Sequence, residues 1–333
     1  ELHQRAASNL LSSPAYRTGQ DDAIVARHFE LAGDHDEASA RYLRAAAHAV
    51  DVGGNAEAFR LLSRALKLLS PEDHERRFVA RRQREEILRR LARRPAQLRE
   101  IHHLRREAEA LSDPTKLAMA HARLAQFYID MGRPESAVEA IPAALSNAEK
   151  AGDHLAQAEV KRLQASVARL AGQHDEAVRI SEDALSLCGE DREGLLQRAL
   201  ILNNLGTTLW NMGRLQKASE AYAEGLVIYR MLKLPRQEAQ LLNNMGIVFS
   251  ALGEYEEALA HFKSSLKLDQ KLGDRAGIAL KLGNIGQSYC DLGDLARGRR
   301  YLDKALKLTE QTEDRTTRID VLISLGQCFI AAG

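Results

Sequence analysis

Leu202-Asn203-Asn204-Leu205-Gly206 returns as Leu242-Asn243-Asn244-Met245-Gly246 and, loosened, as Leu282-Gly283-Asn284-Ile285-Gly286. Each copy leads to a second glycine, Gly213, Gly253 or Gly293. The same interval carried outward meets Gly132, Gly172 and Gly333, at gaps of 40, 41, 40, 40 and 40. A fixed period of that size, with helical text on both sides of each glycine, predicts a stack of helix pairs rather than one closed core. Before Gly253, Leu242, Met245, Val248, Phe249 and Leu252 recur at helical spacings; after it, Tyr255, Ala258, Leu259, Phe262, Leu266 and Leu268 do the same. Two amphipathic helices therefore meet at a short turn, where a residue without Cβ can take the left-handed conformation. Gly206, Gly246, Gly286 and Gly326 fall in mid-helix instead, where glycine costs about 1 kcal/mol relative to alanine. Close approach of the partner helix, with Ala218 or Ala258 facing the gap, is the expected compensation.

These residues resemble the tetratricopeptide repeats. The likeness lies in Leu205-Gly206, Ala218 and Tyr222 of one copy, and in Met245-Gly246, Phe249, Gly253, Tyr255, Ala258 and Phe262 of the next. The 40-residue period is similar to the variant found in kinesin light chains and cell-polarity scaffolds. The resemblance implies an all-α, right-handed superhelical solenoid of antiparallel helix pairs, specific from about Leu117 to Gly333. Pairs are expected at 115–131 with 134–151, 155–171 with 174–188, 193–211 with 215–232, 236–251 with 255–272 and 275–291 with 295–311, followed by a lone helix over 315–331. Ala151-Gly152-Asp153, Leu272-Gly273-Asp274 and Glu313-Asp314 join one pair to the next, the aspartate capping the new helix. In the second pair Leu163 lies nine residues before its glycine rather than eight, which suggests a one-residue change in the turn.

Residues 1–113 read as irregular helical repeats linking to an upstream module, and 114–333 as the regular array with its last pair truncated. Helices are expected over 2–11, 21–31, 36–52 and 55–69. The text Ala26-Arg27-His28-Phe29-Glu30-Leu31-Ala32-Gly33-Asp34, with Ala38, Tyr42-Leu43 and Ala45-Ala46, resembles the junction after the nucleotide-binding switch ATPase of large bacterial signalling proteins. Leu91 to Leu98, and Leu104 to Pro114, are similar to the next part of such tails. The text opens on Glu1 inside helical sequence and closes on a turn glycine with a second helix missing, so the chain is expected to be a piece of a longer protein. Its expected setting is cytoplasmic and bacterial.

Net charge is +1, so no bulk attraction to nucleic acid or anionic membrane is implied. No apolar run approaches the roughly 20 residues of a membrane span. Cys188, Cys290 and Cys328 form no CxxC pair and read as reduced core cysteines. Residues 76–106 hold twelve arginines against Glu85, Glu86 and Glu100. A solvated face with salt bridges is the favoured reading, a nucleic-acid-binding solenoid the alternative; with only Phe78 interleaved, base stacking has little to work with.

No enzyme is expected. The sequence has no glycine-rich phosphate loop with a following Lys-Ser/Thr, no His-Glu-x-x-His and no setting for a nucleophilic serine. His102 and His103 point to different sides of a helix, and no metal or other cofactor is called for. Trp210 is left without a role. What remains is the inner wall, which in the resembled family is lined by the first helix of each pair. The residue before the core apolar position recurs as Arg123, Arg162, Asn204, Asn244, Asn284 and Ser324. The resemblance implies that asparagines there face the groove and hold the backbone of an extended peptide, for which a carboxamide, donor and acceptor at once, is suited. Asn203, Asn243 and Gln287 would share the wall, and Arg123 with Arg162 would make one end basic, fitting an acidic ligand. The expected partner is a protein or peptide in the concave groove, or another domain of the parent chain.

Overall fold

The computed structural model describes residues 1–312 and 315–331, and every regular element among them is an α-helix. The Glu313-Asp314 connector and Gly333 lie outside the described residues. The chain divides into two units, residues 1–156 and 157–333.

The first unit contains α1 (Leu2–Ser12), α2 (Asp22–Ala32), α3 (His35–Asp51), α4 (Asn55–Leu68), α5 (His74–Arg90), α6 (Arg94–Leu111), α7 (Pro114–Asp130) and α8 (Pro134–Lys150). Sequence neighbours pack on one another, α3 with α4, α5 with α6 and α7 with α8. Asp34, Asp73 and Asp113 cap their helices by accepting from the N–H three residues on, at 3.2, 3.1 and 3.1 Å. Ala92, with φ 52°, makes the α5–α6 turn without a glycine. A fully buried Asp22 ties the loop before α2 to α3: its carboxylate accepts from Tyr16 Oη (2.7 Å) and the Gly19 N–H (2.8 Å), and from Arg41 and Arg44.

The arginine-rich stretch is more than a solvated face. Arg77, Arg81 and Arg84 stand on one side of α5 and meet Glu100 and Glu107, one helical stripe of α6. Arg81 bonds Glu107 at 2.8 Å and Glu100 at 3.1 Å, Arg77 bonds Glu107 at 3.1 Å, and both glutamates are buried. Arg84 pairs with Glu100 at 3.4 Å and lies over the Phe59 ring at 4.8 Å. Much of the charge that suggested a polyanion surface is thus consumed inside a helix hairpin.

α9 (His154–Leu170) carries the boundary between the units. The second unit continues with α10 (His174–Leu185), α11 (Arg192–Asn211), α12 (Leu215–Met231), α13 (Pro235–Ala251), α14 (Tyr255–Leu272), α15 (Arg275–Asp291), α16 (Leu295–Thr312) and α17 (Arg315–Ala331). These bounds follow the sequence expectation closely except at α10, which stops at Leu185. There Ser186 Oγ and Cys188 Sγ turn back onto the carbonyls of Asp183 (2.7 Å) and Ala184 (3.5 Å). Asp153 and Asp274 cap as expected, accepting from the N–H of Ala156 and Gly277 at 2.9 and 3.0 Å. Gly213 and Gly253 hold φ of 71° and 79° at their turns. α9 ends two residues before its turn glycine, as α11, α13 and α15 do, so the offset of Leu163 lies in the buried face of α9 and not in the turn.

The mid-helix glycines have a different partner from the expected alanines. A Cβ on Gly206 would stand 2.5 Å from the Tyr222 ring, one on Gly246 2.5 Å from the Phe262 ring, and one on Gly286 2.7 Å from Leu302. The second helix of each pair lays a bulky side chain into a notch that only hydrogen leaves open, and this contact offsets the poor helix propensity of glycine.

Candidate functional site

The repeated asparagines sit on the first helix of each pair in the second unit, one helical step before a buried apolar residue (Leu205, Met245, Ile285). That register keeps Asn204, Asn244 and Asn284 half-buried, at the edge of the core. Their side chains bond from helix to helix. Asn284 Nδ2 donates to Asn243 Oδ1 at 2.8 Å, Asn244 Nδ2 to Asn203 Oδ1 at 3.0 Å, and Asn204 Nδ2 to Ser166 Oγ at 2.8 Å. One rung therefore joins each first helix to the one before it, from α9 through α15.

A carboxamide carries two N–H donors and an oxygen with two acceptor sites, so a rung uses only part of each. The oxygens of Asn204, Asn244 and Asn284 and the amides of Asn203 and Asn243 are not consumed by the rungs. The Asn203–Asn244 rung thus keeps an acceptor and a donor, the same complement that a peptide unit presents; Asn243 is buried, so the Asn243–Asn284 rung offers the oxygen of Asn284. Backbone and hydroxyl bonds hold the row in place: Thr207 Oγ1 donates to Asn203 O and Ser288 Oγ to Asn284 O, at 3.0 and 2.9 Å. Gln287 spends its Nε2 on Asp291 (2.8 Å), while its Oε1 is buried with no hydrogen-bond partner.

The two arginines are placed differently. Arg123, on α7 of the first unit, donates to Glu86 at 3.1 Å and lies 3.5 Å from Glu85, so its charge is met locally and supplies no free basic end. Burial pushes the Glu86 carboxyl up, but Arg89, Arg123 and Arg90 outweigh it and hold it at about 2. Arg162, on α9, is half-buried near Tyr229, whose hydroxyl burial raises to about 12 against the arginine's opposing charge. Ser166 and Thr207 belong to the row and were missed from sequence, because neither repeats at its own register; the doubled Asn-Asn at a 40-residue interval was the available signal.

A second polar cluster lies between α14 and the α15–α16 turn, around an open hollow of about 1000 Å³. Lys263 Nζ donates to Tyr289 Oη at 2.9 Å and, with Arg297, lies over the Tyr289 ring at 5.2 and 5.0 Å. The lysine's hydrogen bond holds the Tyr289 hydroxyl below its ordinary range. Among the described residues no three His, Cys, Asp or Glu side chains converge as a metal site, and no helix is long and apolar enough to cross a membrane.

Sequence models of the tetratricopeptide repeat match residues 116–190, 197–271 and 279–314, more than half of the chain. The chain belongs to the tetratricopeptide repeat family. No curated protein matches it. Among solved structures it is similar to the apo form of the quorum sensor NprR from B. thuringiensis, with 16% identity, a TM-score of 0.69, and coverage of 100% of this chain and 95% of that one. It is also similar to a signal transduction ATPase with numerous domains, carrying a tetratricopeptide repeat sensor, from Pyrococcus horikoshii (17% identity, TM-score 0.65). There the match covers 94% of this chain and 50% of that one. A kinesin light chain protein from Podospora anserina, with nearly identical tetratricopeptide-like repeats, matches at 16% identity and TM-score 0.50, over 60% of this chain and 98% of that one. At these identities the likeness establishes the fold.

Proposed function

We propose that this chain is an interaction scaffold that captures an extended polypeptide along the amide row of the second unit, without catalysis. The observation that carries the reading is the set of rungs, which holds asparagine carboxamides at a fixed register and leaves on each a donor or acceptor suited to a peptide backbone. Such recognition does not depend on ligand side chains, which contribute from flanking positions such as Thr207, Ile247 and Gln287 at the same step of successive repeats. Arg162 is a secondary contact in this reading; Arg123 belongs to the first unit, where Glu86 engages it.

The test is selection from a displayed library of unstructured peptides, followed by titration of the selected peptide. Each lost hydrogen bond is worth roughly 1 kcal/mol. Replacing Asn204, Asn244 and Asn284 by alanine should therefore weaken capture by about 100-fold, with helical circular dichroism retained. Capture at wild-type strength by a folded triple variant removes the assignment.

We further infer that residues 1–113 join the array to an effector module, an ATPase, kinase or transcription domain of a bacterial cytoplasmic signalling protein, and that ligand binding regulates it. The likeness of the chain to the sensor-bearing ATPase from Pyrococcus horikoshii supports this. A parent gene encoding no such module would remove it. The nucleic-acid alternative loses support from the ion pairs that Arg77, Arg81 and Arg84 make with buried glutamates.

A further inference from the structure

Two of the three cysteines, distant in sequence, meet in space. Cys290 stands near the end of α15 and Cys328 near the end of α17, and these two helices pack on each other. Cys328 is buried with Leu302, Ala305, Val321 and Leu325, and Cys290 packs against that cluster. Both sulfurs lie over the first turn of α16. Cys290 Sγ fills the space that any side chain larger than hydrogen would need at Gly298, and Cys328 Sγ–H donates to Leu295 O at 3.8 Å.

Repeat packing does not demand sulfur at either place. The preceding repeats carry Trp210 and Ser250 at the position of Cys290, and Val248 and Ser288 at the position of Cys328. A hollow of about 200 Å³, lined by Leu295, Arg299, Cys328 and Phe329 among others, gives a small oxidant access to Cys328. Cys188, the third thiol, belongs to a separate cluster with Ala158, Ala184 and Ile201.

We propose that Cys290 and Cys328 form an intramolecular disulfide under hydrogen peroxide, fastening α17 to α15. Cys328 sulfur attacks one peroxide oxygen and the O–O bond breaks. The departing hydroxide takes the thiol proton and leaves as water, and Cys328 becomes a sulfenic acid. Cys290 sulfur then attacks that sulfur, the S–O bond breaks, and the second hydroxide leaves as water with the Cys290 proton. Two electrons pass from the thiols to the peroxide. Cys328 lines the hollow and so meets peroxide first, whereas Cys290, which does not line it, takes the second step. Because Asn284 and Gln287 are on the same helix as Cys290, the bond would also fix the last rung of the amide row against α17.

Peroxide treatment of the chain, alkylation, digestion and mass spectrometry test this directly. The expected result is loss of two of the three thiols, recovery of one Cys290–Cys328 linked peptide in wild type and in Cys188→Ser, and cleavage of α17 by a protease at least tenfold slower until dithiothreitol is added. Recovery of Cys328 as sulfinic acid beside fully alkylated Cys290, or linkage only between chains, overturns the proposal. Wild-type mapping decides the matter even where a cysteine variant fails to fold.

Discussion

A single missing carbon at Gly206, Gly246 and Gly286 lets each helix pair close, and the same carbon should act in opposite directions at different repeats. At Gly246 alanine would gain about 1 kcal/mol of helix propensity but force the Phe262 ring, 2.5 Å from the new Cβ, to move. Overpacking of that kind costs about 1–3 kcal/mol, so Gly246→Ala should lower the urea midpoint. At Gly326 a Cβ meets nothing within 4 Å, so Gly326→Ala should leave the midpoint unchanged or raise it. A rise for both variants would show that the rings do not define the notch. The mid-helix glycines were legible in the sequence, but their partners were not: small Ala218 and Ala258 suited a close approach, whereas rings reaching across from Tyr222 and Phe262 fill it. The asparagines were likewise legible as a repeated register. That each bonds to its predecessor about forty residues back depends on how far successive helices rotate, which no local pattern encodes.

Among the elements, the α14–α15 joint depends on a charge pair that sequence patterning hides. Lys281 Nζ meets Asp269 Oδ2 at 3.2 Å, with the two side chains 9% and 4% exposed. Removing one partner strands the other charge, at a cost of about 3–5 kcal/mol, whereas replacing both by apolar residues is often neutral. Lys281→Met should therefore lower the midpoint sharply, and adding Asp269→Leu should restore most of it; additive losses in the double variant would rule out a coupled pair. Asp269 reads in sequence as a polar position of an amphipathic helix, and Lys281 as a solvent residue beside Leu282. Only the packing of the two helices turns both inward, as it does Glu100 and Glu107 in the α5–α6 hairpin. Helix bounds, by contrast, were readable almost to the residue at most turn glycines and capping aspartates, and failed at α10, which stops at Leu185 short of Gly189 and the capping Asp191 because Ser186 and Cys188 turn back onto its last carbonyls.

Across the molecule the two units should differ in their acid sensitivity. In the first, burial pushes the Asp22 carboxyl up, but Tyr16, the Gly19 N–H and Arg44 hold it below its usual range. Glu107 behaves alike, through His74, Arg81 and Arg77, and Glu86 is held at about 2; Glu85, pushed up by burial, works in the opposite sense and offsets part of this. A carboxyl with a lowered folded pKa adds stability that is complete above its unfolded value, roughly pH 4, and is lost as the pH falls through the folded one. In the second unit Glu176 is lowered by the surface Arg179, and Asp294 by the backbone N–H of Arg297 and then its side chain, and such exposed pairs contribute little. Pulse-labelled hydrogen exchange should therefore show residues 1–156 losing protection between pH 4 and 2 before residues 157–333; simultaneous loss, or the reverse order, would refute this. The second unit was the more legible because a glycine marks the turn of each of its helix pairs, while in the first unit the α5–α6 turn is made by Ala92, which leaves no glycine there to carry the register back. One consequence concerns how such a protein can change over generations. Ring and notch belong to one hairpin, Gly246 with Phe262, whereas the amide rungs cross from each hairpin to the next. Excising or duplicating a stretch such as 233–272, which holds α13 and α14 entire, would leave every internal lock whole and re-create the same joint at the seam, so the gene can lengthen or shorten its array by recombination in whole modules without first passing through a misfolded ancestor.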